Sequence, residues 1–162
     1  MPVSARAASR PGVLSRAEMC AVLPHGDRMC LLAAVRAWHA EGIECLATSH
    51  RDVANPLRAR GRLGAACAVE YAAQAMAVHG ALRKTGPSQP GGALLAVRDA
   101  RFLVARLDDI EDDLLIDCRA LAQDGRGATY RFQVGTAGRL LVSGRAIVQF
   151  VPLQGPDHAG QG

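Results

Sequence analysis

G-A-A-C-A-V-E-Y-A-A-Q-A-M-A-V-H-G-A-L-R-K, from Gly64 to Lys84, is almost entirely small or apolar and contains no proline. Alanine has the highest helix propensity of any residue, so the stretch predicts one long helix. About 20 residues at 1.5 Å per residue make roughly 30 Å, the width of a small domain. A helix apolar nearly all round is a buried one. Glu70 and Gln74 interrupt it at i,i+4 and therefore share a face. A carboxylate in such surroundings is expensive unless it is paired, protonated or functional. A membrane span is excluded on the same residues: Glu70, Gln74, His79 and Gly80 break the run, and a charge at the centre of a bilayer is costly.

The surrounding chain builds a single globular domain. Its 162 residues suffice for one core, and with only 4% aromatics that core must come from Ala, Val and Leu. The formal charge of +4 is almost wholly arginine, Lys84 being the lone lysine. A basic balance suits an acidic partner, but no cluster is dense enough to predict nucleic-acid binding. The five cysteines are scattered and form no C-x-x-C pair, which predicts buried thiols in a reducing cytoplasm and neither a disulfide framework nor a metal site. Residues 1–14 contain Arg and Ser and no acids, as transit peptides do, and lack the apolar run of a secretory signal; they read as a disordered tail. Residues 15–152 are the domain, and 153–162 a second tail.

Ser15 and Glu18 form a capping box ahead of a short helix that Pro24 ends. Val35–Trp38 and Ile43–Thr48 read as strands joined through residues 39–42. The polar segment 50–63, with Pro56 and Gly61, is a loop leading into the long helix, the kind of place where sites sit. Past the Gly/Pro-rich break at residues 85–92, four more strands are predicted: Ala93–Leu107, Leu114–Ala122, Ala128–Val134 and Leu140–Val151. One apolar helix with about six antiparallel strands makes an α+β domain with the sheet wrapped round the helix. An edge strand left unpaired in such a sheet predicts a dimer.

Three motifs give the chain a family likeness. L-P-H-x-x-x-M-x-L-L from Leu23, H-R-D-x-x-N-P-L-R from His50 and V-E-Y-A-A-Q-A-M-A from Val69 resemble the hotdog-fold 3-hydroxyacyl-carrier-protein dehydratases, in their aryl polyene branch, over Val22 to Val151. The resemblance implies loss of water from a 3-hydroxyacyl thioester to give the trans-2-enoyl product. A histidine would take the C2 proton, Glu70 would protonate the departing hydroxyl, and amides at the helix start would polarise the thioester carbonyl. The residue chemistry agrees with this: burial raises a carboxyl pKa, as a general acid requires, and a helix N-terminus offers free N–H groups to a developing oxyanion. Gly64, Ala65 and Ala66 are small enough for a thioester to approach that backbone.

The fatty-acid branch carries its histidine in a G-H-F-P-G motif; here Pro56 stands in that place. The base then falls to His25, to His50, or to a partner subunit in a heterodimer. Gln74 would orient Glu70, contact the acyl chain or simply pack. Arg58, Arg60 and Arg62 would face an acidic acyl carrier protein or be no more than a solvated loop. His39 and His79 read as structural, and Cys67 as a core thiol. No metal or diffusible cofactor is implied, since the phosphopantetheine arm arrives with the carrier, and the expected location is the cytoplasm. Two other readings of the same residues stand beside the dehydratase: a hotdog thioesterase, or a non-catalytic subunit completing a catalytic partner.

Overall fold

The structure, a computed structural model, describes residues 14–23, 29–83 and 91–151. His25 and His158 lie outside the described residues. The short helix α1 spans Arg16–Ala21 and carries the predicted capping box: Ser15 Oγ accepts from Glu18 N–H at 3.2 Å, and Glu18 Oε2 accepts from Ser15 N–H at 2.8 Å. Strands β1 (Ala34–His39) and β2 (Gly42–Ala47) form the hairpin. The central helix α2 (Ala68–Leu82) follows, then β3 (Gly91–Phe102), β4 (Leu114–Gln123), β5 (Gly127–Thr136) and β6 (Arg139–Val151).

All six strands form one antiparallel sheet in the order β1-β2-β4-β5-β6-β3. Strict alternation explains it. On β5, Ala128, Tyr130, Phe132 and Val134 are buried while Arg131 and Gln133 face out; β4 repeats this with Leu114, Ile116 and Cys118. Those inner positions, with Tyr71, Ala72, Ala75 and Met76 of α2, make the core, so the helix lies on one face of the sheet. The predicted single-helix, six-strand architecture is what the chain adopts. Among the described residues, no helix is long and apolar enough to cross a membrane.

Three expectations need correction. The long helix does not start at Gly64. Gly64 is extended (φ −65°, ψ 154°), residues 65–67 form a 3₁₀ turn, and α2 begins at Ala68. The cause is a pairing that helix propensity cannot foresee: Ala65 N–H bonds Ala105 O at 3.0 Å and Leu107 N–H bonds Leu63 O at 2.8 Å. The same pairing ends β3 at Phe102 rather than Leu107, since residues 105–107 leave the sheet to hold the helix entry. Finally, the cysteines are not all thiols: Cys20 and Cys30 form a disulfide, with Cα atoms 5.5 Å apart, that ties α1 to the run before β1. Cys45 and Cys118 are free and buried, and Cys67 is free and half-buried.

Candidate active site

The loop from Ser49 to Leu63 is fastened to the core by side chains its motif supplies. Tyr71 Oη and Ser49 Oγ lie 2.7 Å apart, and Ser49 Oγ donates to Leu31 O at 2.7 Å. Tyr71 must therefore donate to Ser49, and it accepts from Asn55 Nδ2 at 3.1 Å. The Asn55 amide also bonds Ser49 O and Leu57 N–H, both at 2.9 Å, so Asn55 shapes the turn around Pro56. This chain of buried bonds fixes the loop relative to the first turn of α2.

Asp108 anchors the other side. Its carboxylate accepts from Leu63 N–H at 2.9 Å and from the Arg106 guanidinium, whose hydrogen bonds hold the carboxyl well below the usual carboxylate range. Arg58, expected on an open basic surface, instead lies mostly buried. It donates to His50 O and Gly61 O at 3.3 and 3.2 Å, with Asp108 3.8 Å away. Arg60 and Arg62 are exposed, on a tight turn in which Arg60 (φ 52°) and Gly61 (φ 74°) are both left-handed, the geometry of a two-residue hairpin turn.

Glu70 lies in the first turn of α2, half-buried, with no hydrogen bond or ion pair among the described residues. Gly64 and Ala66 are exposed, and their N–H groups have no acceptor among the described residues, whereas Ala65 N–H is taken by Ala105. A side chain at Gly64 would meet nothing within 4 Å, so this backbone borders open space. Among the described residues an unpaired carboxyl thus follows unfilled amide donors at a helix start, the two ingredients of acid catalysis with oxyanion support.

Gln74 does not orient Glu70. Its Oε1 accepts from Leu31 N–H at 2.8 Å and its Nε2 donates to Met29 O at 2.5 Å, so it anchors the main chain just after the L-P-H segment. Gln74→Leu keeps the shape but leaves both buried main-chain groups unpaired. Urea unfolding is expected to show a loss of about 2–6 kcal/mol, from about 1–3 kcal/mol per orphaned group. His50 is fully buried. Its Nε2 lies 3.0 and 3.1 Å from the carbonyls of Ile110 and Asp112, so it carries the proton and donates, and its Nδ1 has no partner among the described residues. Burial lowers its pKa and keeps the ring neutral. Neither Gln74's partners nor Asp108 was found from the sequence; no local pattern signals a bond to a residue more than 40 positions away.

Among the described residues no cluster of His, Cys, Asp or Glu could hold a metal ion. The sequence matches the family described as ApeP-like, ApeP dehydratase, over residues 17–155. No curated protein matches it. The fold is similar to that of the dehydratase heterocomplex ApeI:P from Xenorhabdus doucetiae (TM-score 0.73, 26% identity, 82% of this chain and 90% of that one). It is also similar to a thioesterase from Haemophilus influenzae (TM-score 0.62, 12% identity, covering 87% and 93%). A mutant thioesterase from Pseudomonas aeruginosa matches at TM-score 0.55 with 19% identity, covering 74% and 81%. The two thioesterases are alike in fold alone.

Proposed function

The chain belongs to the ApeP-like dehydratase family, and on that premise we propose that it removes water from 3-hydroxyacyl thioesters held on an acyl carrier protein, in aryl polyene or a related biosynthesis. A base takes the proton from C2; electrons move to form the C2–C3 double bond; Glu70 delivers a proton to the leaving C3 hydroxyl. The products are the trans-2-enoyl thioester and water. The N–H groups of Gly64 and Ala66 hold the thioester oxygen as negative charge gathers on it. The observation that carries the reading is the half-buried Glu70 carboxyl, unpaired among the described residues, in the helix turn that follows those open amides. Arg60 and Arg62 supply the exposed charge that meets the acidic carrier.

The working assembly is a heterodimer with a second hotdog subunit. What supports this is the heterocomplex architecture of the structural relative and the exposed apolar side chains of the β3 edge, Leu94, Leu95 and Phe102. His50 holds the 110–112 loop through Nε2 and keeps a lone pair on Nδ1, so the base is His25, His50 or a histidine of the second subunit. Incubating the chain, alone and with that subunit, with a 3-hydroxyacyl-carrier substrate and following product mass tests the proposal. Loss of one water is expected. Loss of the whole acyl group would replace dehydration by thioester hydrolysis. His25→Ala abolishes turnover if His25 is the base and spares it if His50 or the partner provides one.

A further inference from the structure

Strand register puts four arginines in one line. Arg119 of β4 stands directly opposite Arg131 of β5, Arg131 opposite Arg145 of β6, and Arg145 opposite Arg98 of β3. All four are exposed. They share the face of the sheet turned away from α2, since Cys118, Phe132, Gly144 and Ala146 beside them face the core. Like charges directly opposite on neighbouring strands repel, and opposite charges there would attract. A face needing only to be wetted would gain stability from alternating signs, yet this row keeps one sign over three consecutive strand pairs. Acids relieve it only in part: Asp117 lies 3.5 Å from Arg119 and Asp99 3.7 Å from Arg145, while Arg98 and Arg131 have no acidic partner among the described residues.

From this row we propose a docking surface for an acidic α-helix of a protein partner, laid across the strands. Neighbouring strands are about 4.8 Å apart, so the row repeats at that spacing over roughly 14 Å. A helix advances about 5.4 Å per turn, and residues three or four apart lie about 5–6 Å from one another on one face. One acidic residue per turn over three to four turns therefore matches the row charge for charge. Arginine suits this pairing because its planar fork binds a carboxylate through two parallel N–H donors. The adjacent row, Thr129, Ile147 and Ala96, is small or apolar and offers a surface for the shoulder of such a helix. A single-stranded nucleic acid would call for aromatic platforms between the charges, and neither row contains one. The surface is on the opposite side of the sheet from Glu70 and does not depend on the reaction proposed for it.

The test uses the full chain and a synthetic helical peptide with glutamate once per turn, against a composition-matched peptide with its glutamates scrambled round the helix. Anisotropy titration is expected to show at least about tenfold tighter binding of the ordered peptide, weakening with salt over the range that screens exposed charges. Arg131→Gln and Arg98→Gln, singly, are expected to remove most of that preference. Because each relieves repulsion, each is also expected to leave Tm unchanged or raise it by about 1–3 °C. Equal affinity for the two peptides, or ordered-peptide binding that survives both substitutions, overturns the proposal. So does tighter binding of an oligonucleotide or anionic vesicles than of the ordered peptide.

Discussion

Glu70→Gln is expected to reduce dehydration about 10²–10⁴-fold, the usual contribution of one positioned general acid. The substitution keeps the size and hydrogen-bonding shape of the side chain but leaves it unable to transfer a proton. Because Glu70 makes no hydrogen bond or ion pair among the described residues, the fold does not depend on its charge. Unfolding free energy is expected to stay within about 0.5 kcal/mol of the parent, as for substitutions away from structural features. Rate loss without stability loss separates Glu70 from Gln74, whose replacement is expected to do the reverse. The measurement is single-turnover water loss by mass, with the second hotdog subunit present, beside urea unfolding of the same preparation. A variant that retains the full rate removes Glu70 from the chemistry.

The second large effect is on stability against acid. His79 is fully buried near the end of α2, with its Nε2 2.9 Å from His39 O and its Nδ1 2.8 Å from Tyr130 Oη. Nε2 must therefore carry the proton and donate to the carbonyl, while Nδ1 accepts from the phenol. Burial drives the pKa of this imidazole down to about 4 from an ordinary 6.5. Above pH 6.5 the ring is neutral both folded and unfolded and adds no pH dependence. Between pH 6.5 and 4 the unfolded chain binds a proton that the folded one refuses, so stability falls as acid is added. The total loss approaches about 3 kcal/mol, and His50, also shifted down by burial, adds a loss of the same sign. Asp108 acts lower still, since its stabilisation is lost only as pH drops below the normal carboxylate range. In His79→Gln the amide can still donate to His39 O and accept from Tyr130. That variant is expected to be weaker by about 1–2 kcal/mol at pH 7.5 but clearly flatter between pH 6.5 and 4. Parallel acid limbs in the two proteins would show that another group titrates.

Most of the architecture was legible because it follows local rules. Apolar runs bounded by turn-forming segments marked the strands, the capping box fixed α1, and the alanine-rich run fixed α2 to within one turn. What sequence reasoning missed is carried by contacts between distant segments. Pairing of residues 63–65 with 105–107 shortened the helix, and nine intervening residues gave no sign that Cys20 and Cys30 would meet. Arg58 reads as a loop charge until His50 O, Gly61 O and Asp108 close round it. The arginine row exists only once register is known, because its members lie in four strands spread from residue 98 to 145. At the candidate site, Glu70 stood out as the lone acid of an apolar helix, while the helix entry it adjoins is set by a hydrogen bond to Ala105.

The sheet order has a consequence for synthesis of the chain. β3 finds its neighbour only in β6, the final strand, so it leaves the ribosome roughly 40 residues before that neighbour exists. At about 5–20 residues per second the gap lasts roughly two to eight seconds. Throughout it the backbone of β3, with Leu94 and Leu95, has no ladder to join, and a premature stop within β6 would make that orphaned condition permanent.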